Sequence, residues 1–242
     1  MFEKNNRLSL PFFYINQFDA SQKVLTLDED TSRHVVQVLR MKAGEQINLT
    51  DGKGNLVTAE IKTEHKKHCE AIINNIQFIS PSERKISIGI SLIKNNSRFE
   101  WFLEKATEIG VSGIIPLICE RTEKQKFRSD RMKNILVSAM LQSQQCWLPQ
   151  MDEPIAFKTA VAKAVQQQKF VAHCTEQSKE NLTAVFDKSL NSQLILIGPE
   201  GDFTNEEIEL ATQYQFIPVA LGENRLRTET AGMVAATMMK LL

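Results

Sequence analysis

Near the end of the chain, two apolar runs each stop in a polar turn and restart as a helix. The first reads Leu194-Ile-Leu-Ile-Gly-Pro-Glu-Gly-Asp-Phe-Thr204. The second begins at Phe216-Ile-Pro-Val-Ala-Leu221 and continues through Gly-Glu-Asn-Arg-Leu-Arg-Thr-Glu-Thr to Ala231. A short apolar run bounded by turn residues and followed by a helical pattern marks a buried strand of a parallel sheet. Two such strand-to-helix turns point to an α/β fold and make a place for a small polar ligand at the carboxyl edge of the sheet. Neither turn carries Gly-x-Gly-x-x-Gly or a P-loop pattern, which counts against an ordinary nucleotide-binding protein of the doubly wound type.

The upstream chain extends the same alternation. Ile86–Ile93 reads as a strand, and Arg98–Ile109 as a helix with Phe99, Phe102, Leu103, Ala106 and Ile109 on one stripe. Gly113–Ile118 is a strand, and Asp130–Trp147 a helix stopped by Pro149. Further helices are expected over Ala156–Gln168 and Glu180–Phe186, with a strand between them at Lys169–His173. Thr204 with Glu207 forms a capping box that starts a helix near Asn205, and a last helix runs to Leu242. Strands alternating with helices imply a parallel sheet covered on both faces.

Before about residue 80 the pattern is different. Val24–Leu27, Glu45–Thr50, Leu56–Ile61 and Cys69–Ile79 read as short strands. Asp51-Gly-Lys-Gly54 supplies a turn, and one helix over Asp28–Leu39 places Val35, Val38 and Leu39 on a face. These elements predict a small β-barrel over residues 1–80. Pro81-Ser-Glu-Arg-Lys85 marks the boundary to a second domain, 81–242.

The charge balance is zero, with 29 basic and 29 acidic residues, which argues weakly against nucleic-acid binding. The balance is uneven along the chain, however. From Arg121 to Lys133 six residues are basic (Arg121, Lys124, Lys126, Arg128, Arg131, Lys133) and two are acidic (Glu123, Asp130). That stretch suits either a solvated loop and helix face or a phosphate grip. No apolar run is long enough to span a membrane, and Met1–Arg7 lacks the apolar core of a secretory signal. Four scattered cysteines with no Cys-x-x-Cys pair read as reduced thiols of a cytoplasmic protein. His34, His65, His68 and His173 show no ligand spacing, so no metal is expected and none of the four is assigned to catalysis. His34, beside an apolar helix face, reads as a structural or RNA contact rather than a catalyst.

Within the turns, Glu200 is placed to accept hydrogen bonds, though Gly198-Pro-Glu-Gly201 equally suits a plain turn. Arg225, Arg227 and Glu229 follow Leu221-Gly222 within a few residues. Three charges at the mouth of a sheet are costly if buried without partners. A capping role for Thr228 or Thr230 leaves both arginines unexplained.

The spacing of Gly198-Pro-Glu-Gly201 before Leu221-Gly222 and Leu226-Arg-Thr-Glu-Thr-Ala231 resembles the C-terminal signature of the SPOUT methyltransferases. More narrowly it resembles the RsmE-type enzymes, which methylate N3 of a uridine in 16S ribosomal RNA. Lys105-Ala-Thr-Glu-Ile-Gly-Val111, Glu120-Arg121, Gln142-Ser143 and Pro149 agree with that family. His34, Val38-Leu-Arg40, Gly44 and Asp51-Gly-Lys-Gly54 resemble its PUA-like N-terminal domain. Two positions depart from the pattern: Gln145 stands where the family has Arg after its Gln-Ser pair, and Gly201-Asp202 where it has Gly-Gly.

The resemblance implies a deep trefoil knot in the C-terminal domain and S-adenosylmethionine bent within it. The cofactor would be held by Leu196, Ile197, Gly198, Pro199, Glu200, Gly201, Leu221, Gly222, Leu226, Thr230 and Ala231. Arg227 and Glu229 would be catalytic. His34, Arg40, Arg121, Lys124, Arg128 and Arg131 would contact RNA. A homodimer acting on 16S RNA in the small ribosomal subunit, without metal or membrane, is also implied. The rival readings are ribose 2′-O or guanine N1 methylation within the superfamily, or a non-catalytic ribosome-assembly RNA-binding protein.

Overall fold

The computed structural model describes residues 10–123, 127–176 and 178–242. The chain divides into two compact units. One runs to Pro81 and takes in Met140–Leu148, and the other comprises Ser82–Ala139 and Pro149–Leu242.

The first unit contains β1 (Phe12–Tyr14), β2 (Val24–Thr26), α1 (Glu29–Arg33), β3 (Gln46–Thr50), β4 (Asn55–Thr63) and β5 (Glu70–Phe78). They form one sheet in the order β1-β3-β4-β5-β2, with β1 parallel to β3 and the other pairs antiparallel. Strand β1 was not foreseen, because three residues, Phe-Phe-Tyr, are too few to show a period. Ile47, Leu49, Val57, Ala59 and Ile61 point inward and form the core with Phe13, Leu25, Leu27 and Val35. This is the small β domain expected from the alternating pattern.

Its helix is shorter than predicted. Asp28 caps α1 by accepting from Thr31 N at 2.7 Å, and then a π-helical turn replaces the α-helix at His34–Val38. Arg40 follows in the left-handed region at φ 57°. The wider turn shifts the register, so Val35 stays buried while Val38 and Leu39 face solvent. Met140–Leu148 also belongs here, and after Gln142 it leaves the helix. Gly54 N donates to Cys146 O at 2.8 Å, Leu148 N to Gly52 O at 2.9 Å, and Trp147 Nε1 to Ile79 O at 2.8 Å.

The second unit contains β6 (Lys85–Ser91), α2 (Asn96–Ile109), β7 (Gly113–Ile118), α3 (Ser129–Gln142), β8 (Gln150–Met151), β9 (Ile155–Ala156) and α4 (Phe157–Lys163). It continues with β10 (Gln168–Ala172), β11 (Glu180–Asn181), α5 (Leu182–Val185), β12 (Ser192–Ile197), α6 (Asn205–Gln213), β13 (Ile217–Ala220) and α7 (Thr228–Leu241). Every ladder is parallel, in the order β11-β13-β10-β12-β6-β7-β8, with β9 added to β7. Helix α3 ends five residues before the predicted Trp147, and α4 stops at Lys163 rather than Gln168. The predicted helix Glu180–Phe186 is a two-residue strand and one helical turn.

Both faces of this sheet are covered, as parallel sheets require. Leu194 and Leu196 of β12 pack with Phe157 and Val161 of α4 and with Ile208 and Ala211 of α6. On the other face α7 lies against α2 and β6. A Cβ on Gly232 of α7 would stand 2.6 Å from Phe102 and 3.0 Å from Ile90, so close contact requires glycine there. Among the described residues no helix is long and apolar enough to cross a membrane.

Candidate functional site

The sheet order brings the carboxyl ends of β13, β10 and β12 side by side, the edge at which open α/β sheets bind ligands. A cleft of about 600 Å³ opens there. Three turns and the start of α7 form its walls.

The wall after β12 is a closed polar structure. Asp202 N donates to Pro199 O at 2.9 Å, and Asp202 itself takes φ 63°. A left-handed position is tolerated by Asp better than by most non-glycine residues, which explains how it can stand where the family has glycine. Its carboxylate accepts from Phe203 N at 2.8 Å and from Cys174 N at 2.7 Å. The capping box is present: Glu207 N donates to Thr204 Oγ1 at 3.2 Å and Thr204 N to Glu207 Oε2 at 2.9 Å. Arg121 Nη1 donates to Gly201 O at 2.6 Å. A Cβ on Gly198 would lie 3.1 Å from Phe203 N, so a side chain there would have to push the turn by a few tenths of an ångström.

The wall after β13 is open. Gly222 has φ 136°, a backbone state that side chains rarely adopt, and nothing lies within 4 Å of where its Cβ would be. Arg225 and Arg227 are exposed, and neither side chain makes a hydrogen bond or ion pair among the described residues, although the Arg227 carbonyl accepts from Ala231 N at 2.7 Å.

The start of α7 closes the site. Thr228 does not cap the helix. Its buried hydroxyl donates to Gly198 O at 2.9 Å and so ties α7 to the end of β12. Glu229, 7 % exposed, has Oε1 3.7 Å from Arg98 Nε, while Oε2 is buried without a hydrogen bond.

The wall after β10 carries His173, 5 % exposed. Its Nδ1 shares a hydrogen bond of 2.9 Å with Thr175 Oγ1, and Nε2 is buried without a hydrogen-bond partner among the described residues. Burial first, and then the Lys179 charge, push the imidazole below its ordinary pKa, against the opposing pull of Asp202.

Of the sequence-predicted residues, Ile197, Gly198, Pro199, Glu200, Leu221, Gly222, Leu226, Ala231 and Arg227 line the cleft. Leu196 belongs to the core beneath it, Gly201 faces Arg121, and Thr230 is half-buried in α7 away from the lining. Glu229 is reached through Arg98. Sequence reasoning missed Arg98, His173, Cys174, Lys179 and Asp202, all on the lining. Arg98 looked like an ordinary first-turn helix residue, and His173 like the end of a strand. Only the sheet order brings them to the same edge.

The basic stretch is less open than its charge suggests. Arg131 makes a bidentate pair with Glu100, at 2.5 and 2.8 Å. Arg131 holds that carboxyl below its usual range, with a smaller contribution from Arg128. Arg121 is held by Gly201 O, Arg128 is exposed, and Lys124 lies outside the described residues. In the first unit His34 and Arg40 are exposed, and His34 packs edge-to-face on Phe13 at 5.6 Å. Among the described residues no cluster of His, Cys, Asp or Glu is placed to hold a metal ion.

A parallel sheet with a polar cleft at its strand ends, in a chain that also carries a compact β domain, defines an α/β enzyme with an added binding module. Residues 80–240 match the RNA methyltransferase domain family, and residues 27–74 match the RNA methyltransferase PUA domain. The chain belongs to the RNA methyltransferase family. A crystal structure of a "probable rRNA-methyltransferase" from Porphyromonas gingivalis is 34% identical, with a TM-score of 0.89 over 96% of this chain and 98% of that one. The ribosomal RNA small subunit methyltransferase E of Neisseria gonorrhoeae, solved bound to S-adenosyl methionine, is 28% identical, with a TM-score of 0.86 over 96% and 97% of the two chains. The enzyme of the same name from Bacillus subtilis is 28% identical over 217 residues, covering 84% of each chain.

Proposed function

We propose that this protein uses S-adenosylmethionine to methylate N3 of a decoding-region uridine in 16S ribosomal RNA, acting on the small ribosomal subunit in the cytoplasm. The observation that carries the reading is the exposed Arg227 side chain on the lining of the cleft, two residues before the buried Glu229 that approaches Arg98, another lining residue. The cleft also fits the cofactor. Gly222 on its lining has open space around it, and His173 Nε2, also on the lining, is a buried polar atom without a hydrogen-bond partner among the described residues.

Bound there, S-adenosylmethionine supplies a methyl group on a positively charged sulfur, so positioning does much of the work. Ile197, Gly198, Pro199, Glu200, Leu221, Gly222, Leu226 and Ala231 hold it, largely through the backbone. Leu196, Gly201 and Thr230 support them from behind. Uridine N3 must lose a proton before it can attack. The Arg227 guanidinium donates to the uracil carbonyl oxygens, stabilising the anion. Glu229, in the first turn of α7, either takes the N3 proton or holds the cofactor's amine, with Arg98 as its counter-charge. Arg121, Lys124, Arg128 and Arg131, with His34 and Arg40 of the β domain, grip RNA phosphates. Arg131 exchanges Glu100 for phosphate when it does so.

We further propose a homodimer, and a trefoil knot in the segment from β12 through α7, which the Thr228–Gly198 tie would lock. The two domains are proposed to divide at Pro81. Labelled S-adenosylmethionine and small subunits from cells lacking the protein test the activity, with the product identified by nucleoside mass spectrometry. 3-Methyluridine establishes it, and a methylated ribose or 1-methylguanosine moves the protein to another branch. Cofactor binding without any product would leave an assembly role.

A further inference from the structure

The β10 wall of the cleft carries a group to which the proposed methyl transfer assigns no role. His173 is buried, lines the cleft and leaves Nε2 without a hydrogen bond. An unmade bond on a buried polar atom is costly, and native chains seldom leave one without a function. The ring is also fixed in place. Thr175 Oγ1 holds Nδ1 at 2.9 Å. Asp202, reaching over from the β12 turn, holds the next backbone amide, Cys174 N, at 2.7 Å. A ring held through Nδ1, on a backbone held at the next residue, with its distal nitrogen unpartnered among the described residues, is arranged for a partner that enters the cleft.

The chemistry of that partner follows from the surroundings. Burial and Lys179 favour the neutral imidazole, which suits an uncharged hydroxyl or ring nitrogen rather than a carboxylate. The charged groups of an amino acid have their counterparts elsewhere, in Arg98 and Glu229 at the start of α7. We infer that His173 is a binding residue for the nucleoside half of S-adenosylmethionine, with Nε2 making the hydrogen bond that the folded chain leaves open. The inference rests on reading this cleft as the cofactor site.

Calorimetry of the full-length protein with S-adenosylmethionine and with 5′-methylthioadenosine, which keeps the nucleoside and lacks the amino acid, tests it. His173→Ala is expected to raise the Kd of both ligands about tenfold. His173→Gln, which offers a polar atom at a similar reach, is expected to stay within about threefold of the wild type. The same loss for both ligands is the mark of a nucleoside contact. Wild-type affinity of His173→Ala for 5′-methylthioadenosine would overturn the inference. Should His173→Ala fail to fold, long-range proton–nitrogen NMR of the wild type decides instead. The Nε2 resonance of His173, assigned with His173→Gln, shifts on adding 5′-methylthioadenosine if the contact exists and stays put if it does not. A wild type that binds no S-adenosylmethionine is a separate result, which removes the cofactor reading itself.

Discussion

The turn after β12 and the turn after β13 sit on the same sheet edge and face the same cleft, yet they are built in opposite ways. In the first, the carboxylate of Asp202, the Thr204–Glu207 box and the Gly201 carbonyl all have partners within the protein. In the second, the exposed side chains of Arg225 and Arg227 make no bond among the described residues, and Gly222 opens onto empty space. A turn whose polar groups are satisfied is a wall with a fixed shape. A turn whose charges are left over is waiting for a ligand, because free cations on a concave edge are spent on whatever enters. The first turn should therefore respond to mutation in stability, and the second in function.

The largest effect sharpens that division. Arg227→Ala is expected to lower methyl transfer by about 100- to 1000-fold, the range for removing one donor that stabilises developing negative charge. Cofactor Kd and the thermal midpoint should stay near wild type, since Arg227 is exposed and unpaired. Unchanged turnover would sink the catalytic assignment. Next comes Gly222→Val. The β-branched side chain must adopt φ near 136° and enter the cleft, so S-adenosylmethionine affinity is expected to fall at least about tenfold. Calorimetry reads this directly, and wild-type affinity would show that the cofactor does not pass Gly222.

The division also explains what was legible in the sequence. Leu194–Ile197 and Phe216–Leu221 announced two strands and two turns because their apolar runs end abruptly in Gly and Pro. The Thr204–Glu207 box was readable because capping is local, three residues apart. Arg227 stood out because nothing local explained it. What could not be read was everything set by neighbours in space. Asp202 looked like a mild departure from glycine, although its carboxylate reaches Cys174 from 28 positions away. Thr228 looked like a cap and is a tie to Gly198. His173 and Arg98 join the cleft only because β10 lies between β12 and β13 and because α2 faces α7. In the β domain, the π turn at His34–Val38 broke a helical period that the residues alone support.

Two substitutions test the closed turn. Thr228→Val keeps the shape of the side chain but leaves Gly198 O buried without its donor, so a loss of about 1–3 kcal/mol is expected. Thr204→Ala removes one half of the capping box and should cost about 1 kcal/mol. Urea midpoints measure both. Thr228→Val should also weaken the cofactor, because it loosens the join between the two turns, whereas Thr204→Ala should leave Kd unchanged. A stable Thr228→Val protein with altered binding, or a Thr204→Ala protein that loses binding, would break the comparison.

The smallest effect concerns pH. His173 is attached to the closed turn through Cys174 and Asp202, and its folded pKa is depressed by burial and by Lys179. Above the ordinary value of 6.5 the imidazole is neutral in both the folded and unfolded chain, so it contributes no pH dependence. As pH falls through 6.5 the unfolded chain takes up the proton first, while the folded chain resists. Stability from this group therefore declines with falling pH, and the decline ends only when the lower folded pKa is reached. Asp202 opposes the shift and Lys179 deepens it, so Lys179→Met should make the acid-side slope shallower and His173→Gln should remove this contribution. Denaturation midpoints from pH about 7.5 to 5 read the difference between wild type and variant. Equal slopes in wild type and His173→Gln would mean that the ring is not held neutral, and that the β10 wall is less closed than the β12 turn that anchors it.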